Sequence, residues 1–209
     1  MTRRRVLGAA AALALLAALP PVPAHAEDLL ASVAARLADA PVIRGRFEQT
    51  RRLSGFSNPL VSRGDFVLAR GRGVVWQTRE PFPSSLLVTP DKLVVRGADG
   101  SVQQQMQADA QPAMRVVGES MIAVLRGDLR ALSTRFDVTG RLVGKAGWTL
   151  TLTPTDAGMR RVFTRIVLAG DKFVRDVRLE EGSGDSTVVR MIDPVAAAKL
   201  TPAEEQRFE

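Results

Sequence analysis

The residues able to do chemistry are few, and their types and spacing exclude most of it. The chain has 209 residues, no cysteine and one histidine, His25. His25 falls in a leader expected to be cleaved, so the mature chain has neither residue. A Ser-His-Asp or Cys-His triad is then impossible. Zinc, copper, haem and iron–sulfur sites built on His or Cys are excluded too. Carboxylates remain. Glu180 and Glu181 are adjacent and point to opposite faces of a strand, whereas Asp176 and Glu180 share one. Glycoside hydrolysis needs two acids flanking a cleft, and Trp76 and Trp148 are few aromatics for a sugar site. Gly184-Asp185 and Asp156-Ala157-Gly158 are too sparse for a carboxylate calcium loop. Gly71-Arg72-Gly73 has no Lys-Ser/Thr and no helix after it, so it is not a phosphate loop. These residues predict no enzyme, no metal and no cofactor.

Apolar side chains on strands are what the chain has to offer. Phe47, Phe66, Leu68, Trp76, Leu87, Trp148 and Leu150 are the candidates for an apolar binding surface. Met114, Val117, Met121 and Leu125 repeat at helical spacing on one face of a segment over 112–132. Met114 and Met121, near Met106, suit a surface that accepts varied apolar partners, because methionine adapts its shape. Arg70 shares strand parity with Phe66 and Leu68 and ends their strand. A charge there needs a polar partner across the rim.

The elements that must position these residues are mostly strands. Residues 27–40 form an amphipathic helix, with Leu29, Leu30, Val33, Ala34 and Leu37 on one face and acids in its first turn. Pro41 ends it. From Val42 the period is two, giving a strand to about residue 53. Residues 60–70 and 74–79 make a hairpin whose Gly71-Arg72-Gly73 turn asks for positive φ. Strands follow over 85–89, 92–96 and 101–106. After the 112–132 helix come strands over 136–142, 148–153, 162–168, 173–179 and 187–192, with 154–158 a turn. Residues 194–209 read as a weakly helical tail. About eleven antiparallel strands in sequence must curl into a barrel or a sandwich.

The hairpin carries a resemblance. Gly64-Asp65-Phe66, Arg70, Trp76 and Pro81 match, without gaps, a motif of the periplasmic outer-membrane lipoprotein carrier family (LolA-like). Ala69 and Gly71 stand where that family has lysine and proline, marking a diverged branch. The resemblance implies a mainly β fold, an unclosed antiparallel barrel with a helical lid over an apolar cavity. It implies a carrier of acylated lipoproteins or a related lipid, ferried from inner to outer membrane. Its partners would be an inner-membrane release transporter and an outer-membrane receptor, and Arg70 would latch the lid when the cavity is empty. The other reading is a lipid-sensing regulatory domain that binds a membrane signalling protein.

The address agrees. Arg3, Arg4 and Arg5, an apolar run over 6–19 and Ala24-His25-Ala26 compose a secretory signal over 1–26. Thr2-Arg3-Arg4 also resembles a twin-arginine signal. The expected mature chain, 27–209, is one periplasmic domain and a monomer. Loss of three arginines and no acid lowers its net charge from +7 to +4. The remaining cations are spread among acids, so nucleic acid is not an expected partner.

Overall fold

The computed structural model describes residues 26–107, Ala123 and residues 129–209. Among these, eleven strands form one antiparallel sheet in the order β6-β5-β4-β3-β2-β1-β11-β10-β9-β8-β7. Two meanders are joined where the first strand pairs with the last. The first runs through β1 Val42–Arg52, β2 Leu60–Ala69, β3 Gly73–Glu80, β4 Ser84–Val88, β5 Lys92–Arg96 and β6 Val102–Gln107. The second runs through β7 Phe136–Val143, β8 Gly147–Pro154, β9 Phe163–Gly170, β10 Val174–Glu181 and β11 Ser186–Ala197. β6 and β7 do not pair, so the sheet is unclosed. The fold is thus mainly β, as the strand count predicts, and unclosed, as the family resemblance implies.

Register places the apolar residues on faces. Gly45 lies opposite Phe66, Ile43 opposite Leu68, and Phe47 opposite both Gly64 and Met191. Across the sheet, Val189 faces Val177, Val177 faces Leu168, and Leu168 faces Leu150. Directly opposed residues share a face, so Phe47, Phe66, Leu68, Trp76, Trp148 and Leu150 stand on one side of the sheet. On that side α1, Ala26–Ala34, packs on β7 and on α2, Arg130–Ser133. Leu30 and Val33 of α1 are fully buried with Leu129, Leu132, Trp148, Leu150 and Leu152.

The opposite side is covered as well, which alternation alone does not reveal. Val67, Ala69, Val75, Leu87 and Val94 are buried under Phe208, from the chain's C-terminal segment. That segment comprises α4, Pro202–Glu205, and a 3₁₀ turn, Gln206–Phe208. Thr201 and Glu204 cap α4 reciprocally, satisfying two otherwise orphaned N–H groups. Arg44 holds Glu204 at 2.9 Å.

Several boundaries differ from expectation. α1 ends at Ala34, not at 40, because the following residues are captured by the sheet: the Ala38 N–H donates to Lys172 O at 2.8 Å. β11 continues past Pro194 to Ala197. Proline survives there because the β1–β11 register shifts between Arg44 and Arg46, and a bulge needs no ladder N–H. The 154–158 turn is the start of α3, Ala157–Val162, whose first turn is capped by the Asp156 carboxylate accepting from Met159 N. The tail's helical character is confined to its last eight residues. The Gly71-Arg72-Gly73 turn is as expected, with φ of +78° and +127° at its two glycines. The 112–132 helix lies largely outside the described residues. Its final turn appears as α2, and Ala123 is helical and buried against the α1 cluster.

Candidate lipid-binding face

Three aromatics make the centre of the candidate site. The Phe47 and Trp76 rings stack with centroids 3.9 Å apart, and Phe66 stacks on Trp76 at 6.0 Å. Phe47 and Phe66 are buried, whereas Trp76 is half-buried and offers its remaining surface. Gly64, first residue of the Gly-Asp-Phe motif, makes this possible. A Cβ there would meet Gln77 O at 1.9 Å and Phe47 Cε1 at 2.8 Å. Leu68, Val74, Val88, Ile43 and Phe173 continue the cluster, with Leu86, Leu93 and Met191 partly buried around it.

A pocket opens beside this cluster. It spans about 330 Å³ including the space at its mouth and is lined by Leu37, Ala38, Ile43, Phe66, Phe173, Val174, Met191, Pro194 and Lys172. Its roof is the segment between α1 and β1; its floor is the sheet.

The expected site residues therefore divide. Phe47, Phe66, Leu68 and Trp76 are brought together. Trp148 and Leu150 share their face but are sealed beneath α1, at 1% and 0% exposure. The Trp148 indole N–H donates to Asp171 O at 2.7 Å, so its polar atom is satisfied within the packed core. Leu87 is on the other side of the sheet, opposite Val75 and in the cluster under Phe208. Met114, Val117, Met121 and Leu125 lie outside the described residues. Ile43, Phe173 and Met191 belong to the pocket wall although none is in the aromatic motif. Ile43 shares strand parity with Phe47, and Phe173, expected to open a strand over 173–179, stands in the turn just before Val174.

Arg70 ends its strand at the rim, as its parity predicts. Its guanidinium pairs with Asp39, in the segment that roofs the pocket, and its N–H donates to Pro41 O at 2.8 Å. Both side chains are exposed, Asp39 at 86%. On the far side of the roof, Arg36 donates to Gly147 O. The β9–β10 turn completes the rim. Asp171 accepts from Arg175 Nη2 at 3.1 Å and from Phe173 N at 2.9 Å. Partial burial pushes its carboxyl pKa up, but the hydrogen bonds and charge of Arg175 and the Phe173 N–H outweigh burial and hold it below the ordinary aspartate value. Among the described residues, no group of acids, histidines or cysteines is arranged to hold a metal ion.

The architecture is an open antiparallel sheet with an aromatic cluster on one face and short helices packed on it. The family model of the outer membrane lipoprotein carrier protein LolA matches residues 39–204, and the chain belongs to that family. Its members are carrier and binding proteins of the periplasm. No curated protein matches the chain. Among solved structures, it is similar to a LolA superfamily protein from Nitrosomonas europaea, at 13% identity and a TM-score of 0.46, covering 86% of this chain and 96% of that one. It is also similar to the MucA/MucB complex of Pseudomonas aeruginosa, at 14% identity and a TM-score of 0.47, covering 87% of this chain and 60% of that one. Among the described residues no helix is long and apolar enough to cross a membrane.

Proposed function

We propose that this protein is a non-catalytic periplasmic carrier, exported by its 1–26 leader, whose single 27–209 domain shields acyl chains. The cargo is an acylated lipoprotein or a related lipid, moved from the inner to the outer membrane. A release transporter would load it and an outer-membrane receptor would unload it. The observation that carries this reading is the face shared by Phe47, Phe66, Leu68 and Trp76, which continues into an apolar pocket under a roof held by few polar contacts. Trp148, Leu150 and the apolar residues Met114, Val117, Met121 and Leu125 of the 112–132 sequence would add apolar surface when α1 lifts. Leu87, on the opposite side, has no part in it.

Arg70 is the proposed latch, with Asp39 as its partner. The pair holds the roof on the empty site and must break when cargo enters. An easily broken latch suits a carrier. Each buried CH₂ gives ~0.8 kcal/mol. Three fully buried chains, on the order of 45 methylenes, would exceed the ~20 kcal/mol ceiling of real complexes. Cargo must stay incompletely buried if it is to be released.

The test is transfer. Purified mature protein should extract an acylated lipoprotein from inner-membrane vesicles and deliver it to vesicles bearing an outer-membrane receptor. Saturable acyl-probe binding without any transfer would instead support the lipid-sensing reading. No binding by the delipidated protein would end both.

A further inference from the structure

Eight of the nine residues lining the pocket are apolar; the ninth is Lys172. It sits in the β9–β10 turn, exposed at the mouth, with its ammonium 5.5 Å from the Phe173 ring centroid. Among the described residues, the acids that adjoin lining residues in sequence are engaged elsewhere. Asp171 is held by Arg175, Asp193 by Arg46 and Asp39 by Arg70. Among the described residues, no carboxylate pairs with Lys172. The Lys172 carbonyl accepts from Ala38 N at 2.8 Å, so the turn that carries this free cation is fixed against the pocket roof. The Asp171–Arg175 pair is neutral, which leaves one positive charge at the edge of an apolar cavity. Lysine extends its stem along apolar surface and keeps its head in water.

We propose that the pocket selects lipids with an anionic head, a carboxylate or a phosphate ester, with the acyl chain entering beside Phe66 and Phe173 and the head held by Lys172. This rests on the acyl-binding reading above and adds a head-group preference to it. The geometry is that of an amphiphile site: a greasy wall ending in one donor-rich cation that, among the described residues, has no carboxylate partner. Phe66 lines the pocket and stacks on Trp76, so a chain anchored at Lys172 runs on toward the aromatic face.

The test compares laurate, dodecyl phosphate and dodecanol, which share one chain and differ in head. Their affinities are measured on the delipidated mature protein and on Lys172→Met and Lys172→Arg. Both anionic ligands should bind wild type about fivefold more tightly than dodecanol, the scale of an exposed ion pair. The advantage should vanish in Lys172→Met and in high salt, and persist in Lys172→Arg. Lys172→Met keeps the apolar stem and the backbone bond to Ala38, so an unchanged urea midpoint serves as its folding control. The stronger of laurate and dodecyl phosphate identifies a fatty-acid or a phosphate head as the natural one. Equal binding of all three ligands by wild type, or an anionic preference that survives Lys172→Met, would overturn the proposal and leave acyl binding standing. Failure of all three to bind would overturn both.

Discussion

Arg70 and Asp39 tie the β2–β3 turn to the segment that roofs the pocket. The two residues are the only charged pair described between that segment and β2. Their exposure sets the scale of the contact, since exposed ion pairs contribute about 0–1 kcal/mol. Arg70→Leu and Asp39→Asn should each favour the open state, tighten cargo binding and slow its release, by up to about fivefold. Arg70→Lys should have a smaller effect, because an ammonium lacks the planar fork. The double variant should do no more than either single one. Off-rates unchanged in all of them, measured by probe dissociation, would remove the latch and leave the carrier.

Trp76 is the one half-buried member of the aromatic trio. Trp76→Ala should weaken acyl-probe binding at least tenfold. It should also cost at most about 3 kcal/mol in denaturant unfolding, the low end for truncating an aromatic in a core. A variant that unfolds outright would mean that Trp76 is core and not binding surface.

How much of this was legible in the sequence follows the length over which each pattern runs. Eleven strands could be read because short β-forming runs are bounded by turn residues, and the hairpin turn because Gly71 and Gly73 leave few alternatives. Phe47, Phe66, Leu68 and Trp76 were placed on one face by type and parity, and the register keeps them there. Leu87 was misplaced because both faces of β2–β5 are buried: Val67 and Ala69 are as apolar as Phe66 and Leu68, and nothing local announces that Phe208 covers one side. Asp39 could not be named as Arg70's partner, since the pairing depends on where α1 stops. That stop is set by the tertiary bond from Ala38 to Lys172, not by helix propensity.

Gly64 should tolerate no side chain. A Cβ would stand 1.9 Å from Gln77 O, so β2 and β3 must separate or the Phe47 ring must move. Gly64→Ala should destabilise the protein by about 2–3 kcal/mol, in the range of overpacked cores, read as a lower urea midpoint. An unchanged midpoint would show that the β2–β3 pairing has slack the structure does not display.

Asp171 gives a pH dependence. Its carboxyl pKa is lower in the folded chain than in the unfolded one. Its contribution is therefore complete above the unfolded value, about 3.9, and is lost as the pH falls through the folded value. Asp171→Asn lacks that contribution at every pH. Below about pH 4 wild type should lose stability more steeply than Asp171→Asn, and between pH 5 and 8 (a window chosen around neutrality) their difference should be constant. Parallel acid limbs in the two unfolding series would mean that Arg175 does not stabilise the ionised carboxylate.

The central claim is that the face of Phe47, Phe66 and Trp76 carries acyl chains. Native mass spectrometry of the protein released gently from periplasm tests it most directly. Discrete added masses of acylated species are expected, removed by delipidation and diminished in Trp76→Ala. A bare polypeptide mass in wild type, together with no uptake when the same preparation is offered acylated lipoprotein, would contradict it.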